Sequence, residues 1–217
     1  MNALRTKLEK AVKDQGDRPT CVAFAVTALH EHCISLGIAQ TQLDLSEEFL
    51  YFGCKQRDSL STTSGTTLVA ASKVLRLDGQ CKEELHPYQR NNTLLVVPSA
   101  AAVKDAKTRT WGLLTPIGLR LETVKQYLTQ EVPVVAAIQI FKTSWFAGPD
   151  GFVALPPAGE KAVGKHAILI VDVEQQGAEE HVVFLNSWGT GWGNKGMGKF
   201  SSVYFRQHCD DLWTAVQ

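Results

Sequence analysis

A mixed α+β fold is predicted for these 217 residues. Apolar residues recur at helical spacing through the first half, β-branched or alternating runs occupy the second half, and turn residues separate the segments. The first helix is expected from Cys21 to Leu36, with Phe24, Ala25, Ala28, Leu29 and Cys33 near one stripe, Thr20 as N-cap and Gly37 as the stop. A second runs from Ser46, its cap, to Cys54, and a third from Thr66 to Leu77, ending at Gly79. A polar, Ala-rich passage around Val97 to Thr110 interrupts the pattern. Leu121 to Gln130 then reads as a short helix, and Val132 to Phe141, Ala167 to Val173 and Val182 to Leu185 read as strands, with a loop from Glu174 to Glu180. Neither repeats nor a low-complexity linker divide the chain.

Composition narrows the partners. With 44% hydrophobic residues the chain can bury a substantial core, and its 22 basic against 22 acidic residues give no global field for nucleic acid or an anionic membrane. No apolar run reaches the length of a membrane span. Met1 to Lys10 lacks the apolar core and cleavage site of a secretory signal, so a cytoplasmic location is expected unless export follows another route. Five cysteines, Cys21, Cys33, Cys54, Cys81 and Cys209, are an odd number and cannot all pair within one chain.

Two distant segments carry chemistry. Gln15-Gly16-Asp17-Arg18-Pro19-Thr20-Cys21 offers an amide and a thiol, and Lys165-His166-Ala167 with Asn186-Ser187-Trp188-Gly189 offers an imidazole and a second amide. Acyl transfer to a thiol needs this set: a sulfur to attack a carbonyl, a base to ionise it, a group to orient the base and a donor for the oxyanion. A lone Cys on an apolar helix is usually an inert core residue. At a helix start, however, the unpaired N–H groups and the positive dipole end favour thiolate over thiol. His30 and Cys33 are three apart on a helix, yet no cluster completes four ligands, so no metal site is expected. The Gly-rich stretch Gly189 to Gly198 lacks the Gly-Lys-Ser/Thr of a phosphate loop and reads as turns between strands.

On these residues the chain resembles the papain-like cysteine peptidases. Gln15 lies six positions before Cys21, as a Gln does in that family, and Asn186-Ser187-Trp188-Gly189-Thr190-Gly191-Trp192-Gly193 follows the family's run after its orienting Asn. His166 is 145 positions after Cys21, inside the expected interval of roughly 130–150; Asn186, 165 positions after, lies beyond it and fits the longer loop at Glu174 to Glu180. Leu45 to Leu50 and Pro133 to Val135 also match, and the likeness extends from about Leu8 to about Phe205. Val22 stands where the family has an aromatic residue, and Lys165 where it has Asp or Asn before the His.

The resemblance implies one peptidase domain over residues 1–217. It comprises a mainly helical left domain (about 1–110) and an antiparallel β-barrel right domain (about 111–217), with the active-site cleft between them. It implies a peptide or protein substrate and no metal or organic cofactor. The implied roles are Cys21 as nucleophile, His166 as acid and base, Asn186 as orienting amide under an aromatic cover from Trp188, and Gln15 as oxyanion donor. Ser64, Gly65, Val134, Val135, Ala167 and Trp188 are the implied substrate contacts. Two other readings stay open: a different thiol acyl-transfer enzyme, amidase or transglutaminase-like, or a catalytically weak binding module with the same fold.

Secreted members of the family usually carry a disulfide-bonded Cys three positions after the Gln, where this chain has Arg18, so a reducing compartment is expected. Cys54 stands where a second family disulfide begins, with Cys81 left open as its partner. Only fourteen residues precede Gln15, too few for the family's inhibitory segment. Either the chain is part of a longer protein or control lies elsewhere: in the segment Lys142 to Lys165 with Trp145, Phe146, Phe152 and Pro156-Pro157, acting as a lid, or in a regulatory partner. The other reading of that segment, held equally open, is that its aromatics pack on the barrel.

Overall fold

A computed structural model describes residues 3–37, 43–92, 94–146 and 148–216. Along the chain run α1 (Ala3–Leu8), α2 (Cys21–Gly37), α3 (Glu47–Lys55), α4 (Leu68–Leu77), α5 (Ala100–Ala106), β1 (Leu114–Pro116), α6 (Leu121–Thr129) and β2 (Val134–Ile140). They are followed by β3 (Gly164–Gln176), β4 (Glu179–Leu185), β5 (Met197–Ser201), α7 (Ser202–His208) and β6 (Cys209–Ala215). The chain divides into two compact units, Gln15–Thr115 with Ala215–Gln217, and Met1–Asp14 with Pro116–Thr214.

The helical unit is built on α2, α3 and α4. Ser46 caps α3 by accepting the Phe49 N–H at 3.0 Å, and Thr67, one residue past the expected start, caps α4 by accepting the Ala70 N–H at 3.1 Å. Thr20 occupies the N-cap position of α2, its carbonyl accepting the Phe24 N–H at 3.2 Å, but its hydroxyl pairs with the Tyr88 hydroxyl at 2.7 Å. The passage around Val97 to Thr110 is itself helical: Ser99 accepts the Ala102 N–H at 3.2 Å, and Ala102 and Ala106 pack with Phe49 and Cys81 in the core. Gly79 follows α4 with φ +74°, and a Cβ there would stand 2.0 Å from the Ala106 carbonyl oxygen. Only glycine closes that turn.

The sheet order is β1-β6-β2-β3-β4-β5, with β2/β3, β2/β6, β3/β4 and β4/β5 antiparallel. This corrects the expected β-barrel: the sheet is mixed with helices but open, ending at β1 on one side and β5 on the other. Closure is blocked at both ends. β1 has three residues and ends in Pro116, which has no N–H to donate. The outer edge of β5 is occupied by the segment at Phe152, where Val153 N–H donates to Lys199 O and Lys199 N–H to Gly151 O, each at 2.8 Å.

The expected loop at Glu174 to Glu180 is also replaced. β3 and β4 pair as far as Gln176 opposite Glu179, and Gly177 at φ +60° makes the turn. The extra residues lengthen a hairpin. Leu4 and Leu8 of α1 are buried, and Arg5 Nη1 reaches Glu174 on β3 at 3.1 Å.

Candidate active site

β3 places His166 opposite Ile138 of β2, and Leu169 opposite Leu185 at the end of β4. Because β3 and β4 are antiparallel, residues just past Leu185 advance toward the His166 end of β3. Asn186 is the first of them. Its Oδ1 lies 2.7 Å from His166 Nε2 and also accepts the Ser187 N–H at 2.8 Å. That second bond fixes which end of the amide is oxygen, so His166 Nε2 is the donor and Nδ1 keeps its lone pair. Asn186 Nδ2 is buried with no partner among the described residues.

His166 is 4% exposed and Asn186 2%. Trp188 lies over the imidazole with ring centroids 4.6 Å apart, and Trp145 meets it edge-on at 5.7 Å. Burial pushes His166 down to about 4, with the bond to Asn186 opposing. The imidazole is therefore neutral at physiological pH and able to take a proton at Nδ1. Lys165, beside it in sequence, projects to solvent and pairs with Asp210 at 2.8 Å, which offsets the extra charge.

Trp145 lies in the segment read either as a lid or as aromatics packed on the strands, and the structure takes the second: it is 5% exposed and donates from Nε1 to Tyr204 Oη at 2.8 Å, while Tyr204 Oη donates to Gln139 O at 2.7 Å. Its ring also meets Phe184, Trp188 and Trp192. Phe146, its neighbour, is 83% exposed. The aromatic content of Trp145 was visible; its partner, 59 positions downstream, was not.

Within the helical unit Cys21 is half-buried as the first residue of α2. Gln15 is buried and donates from Nε2 to Arg18 O at 2.7 Å. Arg18, read in sequence only as a missing cysteine, is buried against Glu48. A cavity of about 440 Å³ adjoins this segment, lined by Asp17, Arg18, Pro19, Tyr51, Thr62, Thr63, Arg90 and Asn91. Ser64 O accepts from Tyr51 Oη at 2.6 Å and Gly65 O from Lys55 Nζ at 2.8 Å, which pins that loop by its carbonyls. Val134 and Val135 have no exposed surface, Ala167 is 3% exposed, and Trp188 is half-exposed. Cys54 and Cys81 are buried and not joined to each other, and none of the five cysteines is in a disulfide.

Among the described residues no group of three or more His, Cys, Asp or Glu could hold a metal ion, and no helix is long and apolar enough to cross a membrane.

Known proteins similar to this chain fall in one group. Peptidase 1 of Psoroptes ovis is 27% identical over 192 residues, covering 87% of this chain and 56% of that protein. Digestive cysteine proteinase 2 of Homarus americanus is 27% identical over 204 residues, covering 88% of this chain and 57% of that protein. The chain thus spans little more than half the length of these relatives. Among solved structures, xylellain, a cysteine protease from Xylella fastidiosa, superposes with a TM-score of 0.84 at 24% identity, over 95% of this chain and 83% of that one. The clostridial cysteine protease Cwp84 after propeptide cleavage gives 0.79 at 21% identity, over 100% and 57%. Both share the fold. The family described as papain family cysteine protease matches residues 3–210, nearly the whole chain, and the chain belongs to that family.

Proposed function

We infer that this chain hydrolyses peptide bonds through a thioester, with Cys21 as nucleophile, His166 as base and acid, Asn186 as the group that orients His166, and Gln15 as an oxyanion donor. His166 Nδ1 takes the thiol proton as Cys21 Sγ bonds to the substrate carbonyl carbon, and the carbonyl electrons move onto oxygen. The Gln15 side-chain amide and the Cys21 backbone N–H stabilise that oxyanion. On collapse the C–N bond breaks and the amine leaves with the proton from His166. Water, deprotonated by His166, then attacks the thioester; the acid departs and Cys21 regains its proton.

The observation that carries this reading is the buried His166–Asn186 bond, which commits Nε2 as a donor and leaves Nδ1 as the base. Membership of the family and the helix-start position of Cys21 support it. The test is cleavage of a mixed peptide library by the purified chain beside Cys21→Ala and His166→Ala. Cleavage by the parent and none by either variant is expected. Equal cleavage by parent and Cys21→Ala would overturn the assignment.

A further inference from the structure

The segment from Gln15 to Cys21 is held by side chains that the chemistry above does not use. Arg18 and Glu48, 5% and 0% exposed, form a forked pair: Nη2 donates to Oε1 at 3.0 Å and Nη1 to Oε2. Arg18 Nη1 also donates to Gln89 O at 2.9 Å, and Glu48 Oε2 accepts the Gln89 N–H at 3.1 Å. Burial works against the charge on Arg18, yet its bonds to Glu48 hold its pKa above the ordinary value. A buried pair of this kind adds little net stability over apolar filling, but its fork fixes geometry.

The geometry it fixes is that of Tyr88. The Arg18 guanidinium sits over the Tyr88 ring, 4.9 Å from its centroid, and Phe24 meets the ring edge-on at 4.8 Å. The Tyr88 hydroxyl donates to Gln15 O at 2.8 Å and receives from Thr20 Oγ1 at 2.7 Å. Gln15 Nε2 in turn donates to Arg18 O. Both the backbone and the side chain of Gln15 are therefore tied to this network, and so is the residue preceding Cys21.

We propose that Arg18, Glu48 and Tyr88 are positioning residues for acyl transfer: the buried Arg18–Glu48 pair seats the Tyr88 ring, and the Tyr88 hydroxyl holds Gln15 where its amide meets the developing oxyanion. This rests on the reading of Gln15 as an oxyanion donor. The effect belongs to the transition state, because a donor displaced by about 1 Å can cost up to roughly 10² in rate while substrate binding elsewhere is untouched.

Tyr88→Phe removes one oxygen and keeps the ring between Arg18 and Phe24; Thr20 Oγ1 still has Arg18 O at 3.5 Å. In the full chain, kcat for peptide cleavage is expected to fall about tenfold, the worth of one hydrogen bond. KM should stay within about twofold. The rate of Cys21 alkylation by chloroacetamide should not change, since displacement at a saturated carbon forms no oxyanion, and the melting temperature should hold.

Added to Gln15→Ala, Tyr88→Phe should bring no further loss. Glu48→Gln should lower kcat in the same manner, and Tyr88→Phe decides the matter if that variant does not fold. The proposal is overturned by an unchanged kcat in Tyr88→Phe, by alkylation that falls in parallel with kcat, or by losses that multiply in the double variant. A parent-like kcat in Gln15→Ala alone would overturn the oxyanion assignment itself, and that result is read before Tyr88 is altered.

Discussion

His166 Nε2 and Asn186 Oδ1 are 2.7 Å apart in a buried setting, and the same oxygen takes the Ser187 N–H, so one amide fixes both the orientation and the tautomer of the imidazole. Asn186→Ala removes the acceptor and frees the ring to turn or to carry its proton on Nδ1. The expected loss in kcat is roughly 10 to 10², short of the 10²–10⁴ that general acid–base catalysis supplies in full. Peptide kinetics beside His166→Ala checks the order, and a variant as inactive as His166→Ala would mean that Asn186 does more than orient.

Trp188 covers that pair, and the depressed pKa of His166 follows from the water it excludes. Trp188→Ala admits solvent, which favours the charged form, so the pKa should rise from about 4 toward the ordinary 6.5. Proton NMR titration of His166 in a Cys21→Ala background measures this without coupling to the thiol. A pKa that stays near 4 in the double variant would assign the shift to the rest of the cage, with Trp145 the first candidate.

His166 and Asn186, which the structure brings together, were legible because each sits in a short local pattern, and Cys21 is proposed on a pattern of the same kind. Cys21 follows a capping position, His166 opens an apolar strand, and Asn186 leads a Gly- and Trp-rich turn. What was hidden depends on partners far along the chain. Arg18 reads as a departure until Glu48, 30 positions on, is seen against it, and Trp145 reads equally as lid or as core until Tyr204 takes its N–H. Sheet closure was not written in any strand, since it turns on what the edges β1 and β5 meet. α5 could have been found: Ser99 before Ala100-Ala101-Ala102 is a capping signal, obscured by the polar residues that follow.

Burial sorts the five thiols. Cys54, Cys81 and Cys209 are buried, and desolvation pushes each up to about 12, whereas Cys21 and Cys33 are half-buried. Iodoacetamide at pH 7.5 under native conditions should label Cys21 and Cys33 and spare the other three, as peptide mass mapping would report. Reductant should leave the melting temperature unchanged. Early labelling of Cys54 or Cys81 would contradict the packing of the helical core.

The turn after α4 offers a test of the fold apart from the chemistry. Gly79→Ala meets two penalties, a left-handed φ of +74° and a Cβ 2.0 Å from the Ala106 carbonyl oxygen, and backbone does not yield cheaply. A loss of about 2–4 kcal/mol is expected, seen as a lower urea midpoint at constant slope. A midpoint within error of the parent would mean that α5 shifts freely away from α4.

Stability should fall on acidification through the buried histidines. His30 is buried, stacks on Trp111 at 4.9 Å and pairs through Nδ1 with Gln80 Oε1 at 2.9 Å. Gln80 Nε2 already donates to Thr27 Oγ1 and Ser46 O, so its oxygen is what His30 meets and His30 Nδ1 is the donor. Burial pushes His30, like His166, down to about 4. A His whose folded pKa lies below its unfolded value stabilises the fold fully above about 6.5 and loses that contribution as pH falls from 6.5 to 4, up to about 3 kcal/mol for each group. His86 and His208, also lowered by burial, act in the same sense. Asp58, Asp105 and Asp210 are held below their ordinary value and titrate beneath this window. Urea midpoints at pH 7.5 and 4.5 should therefore differ, with the acid value lower. His30→Gln, which cannot be protonated there, should narrow the gap while being less stable than the parent at pH 7.5. Equal midpoints at the two pH values would show that the buried imidazoles find a charged partner in the folded chain.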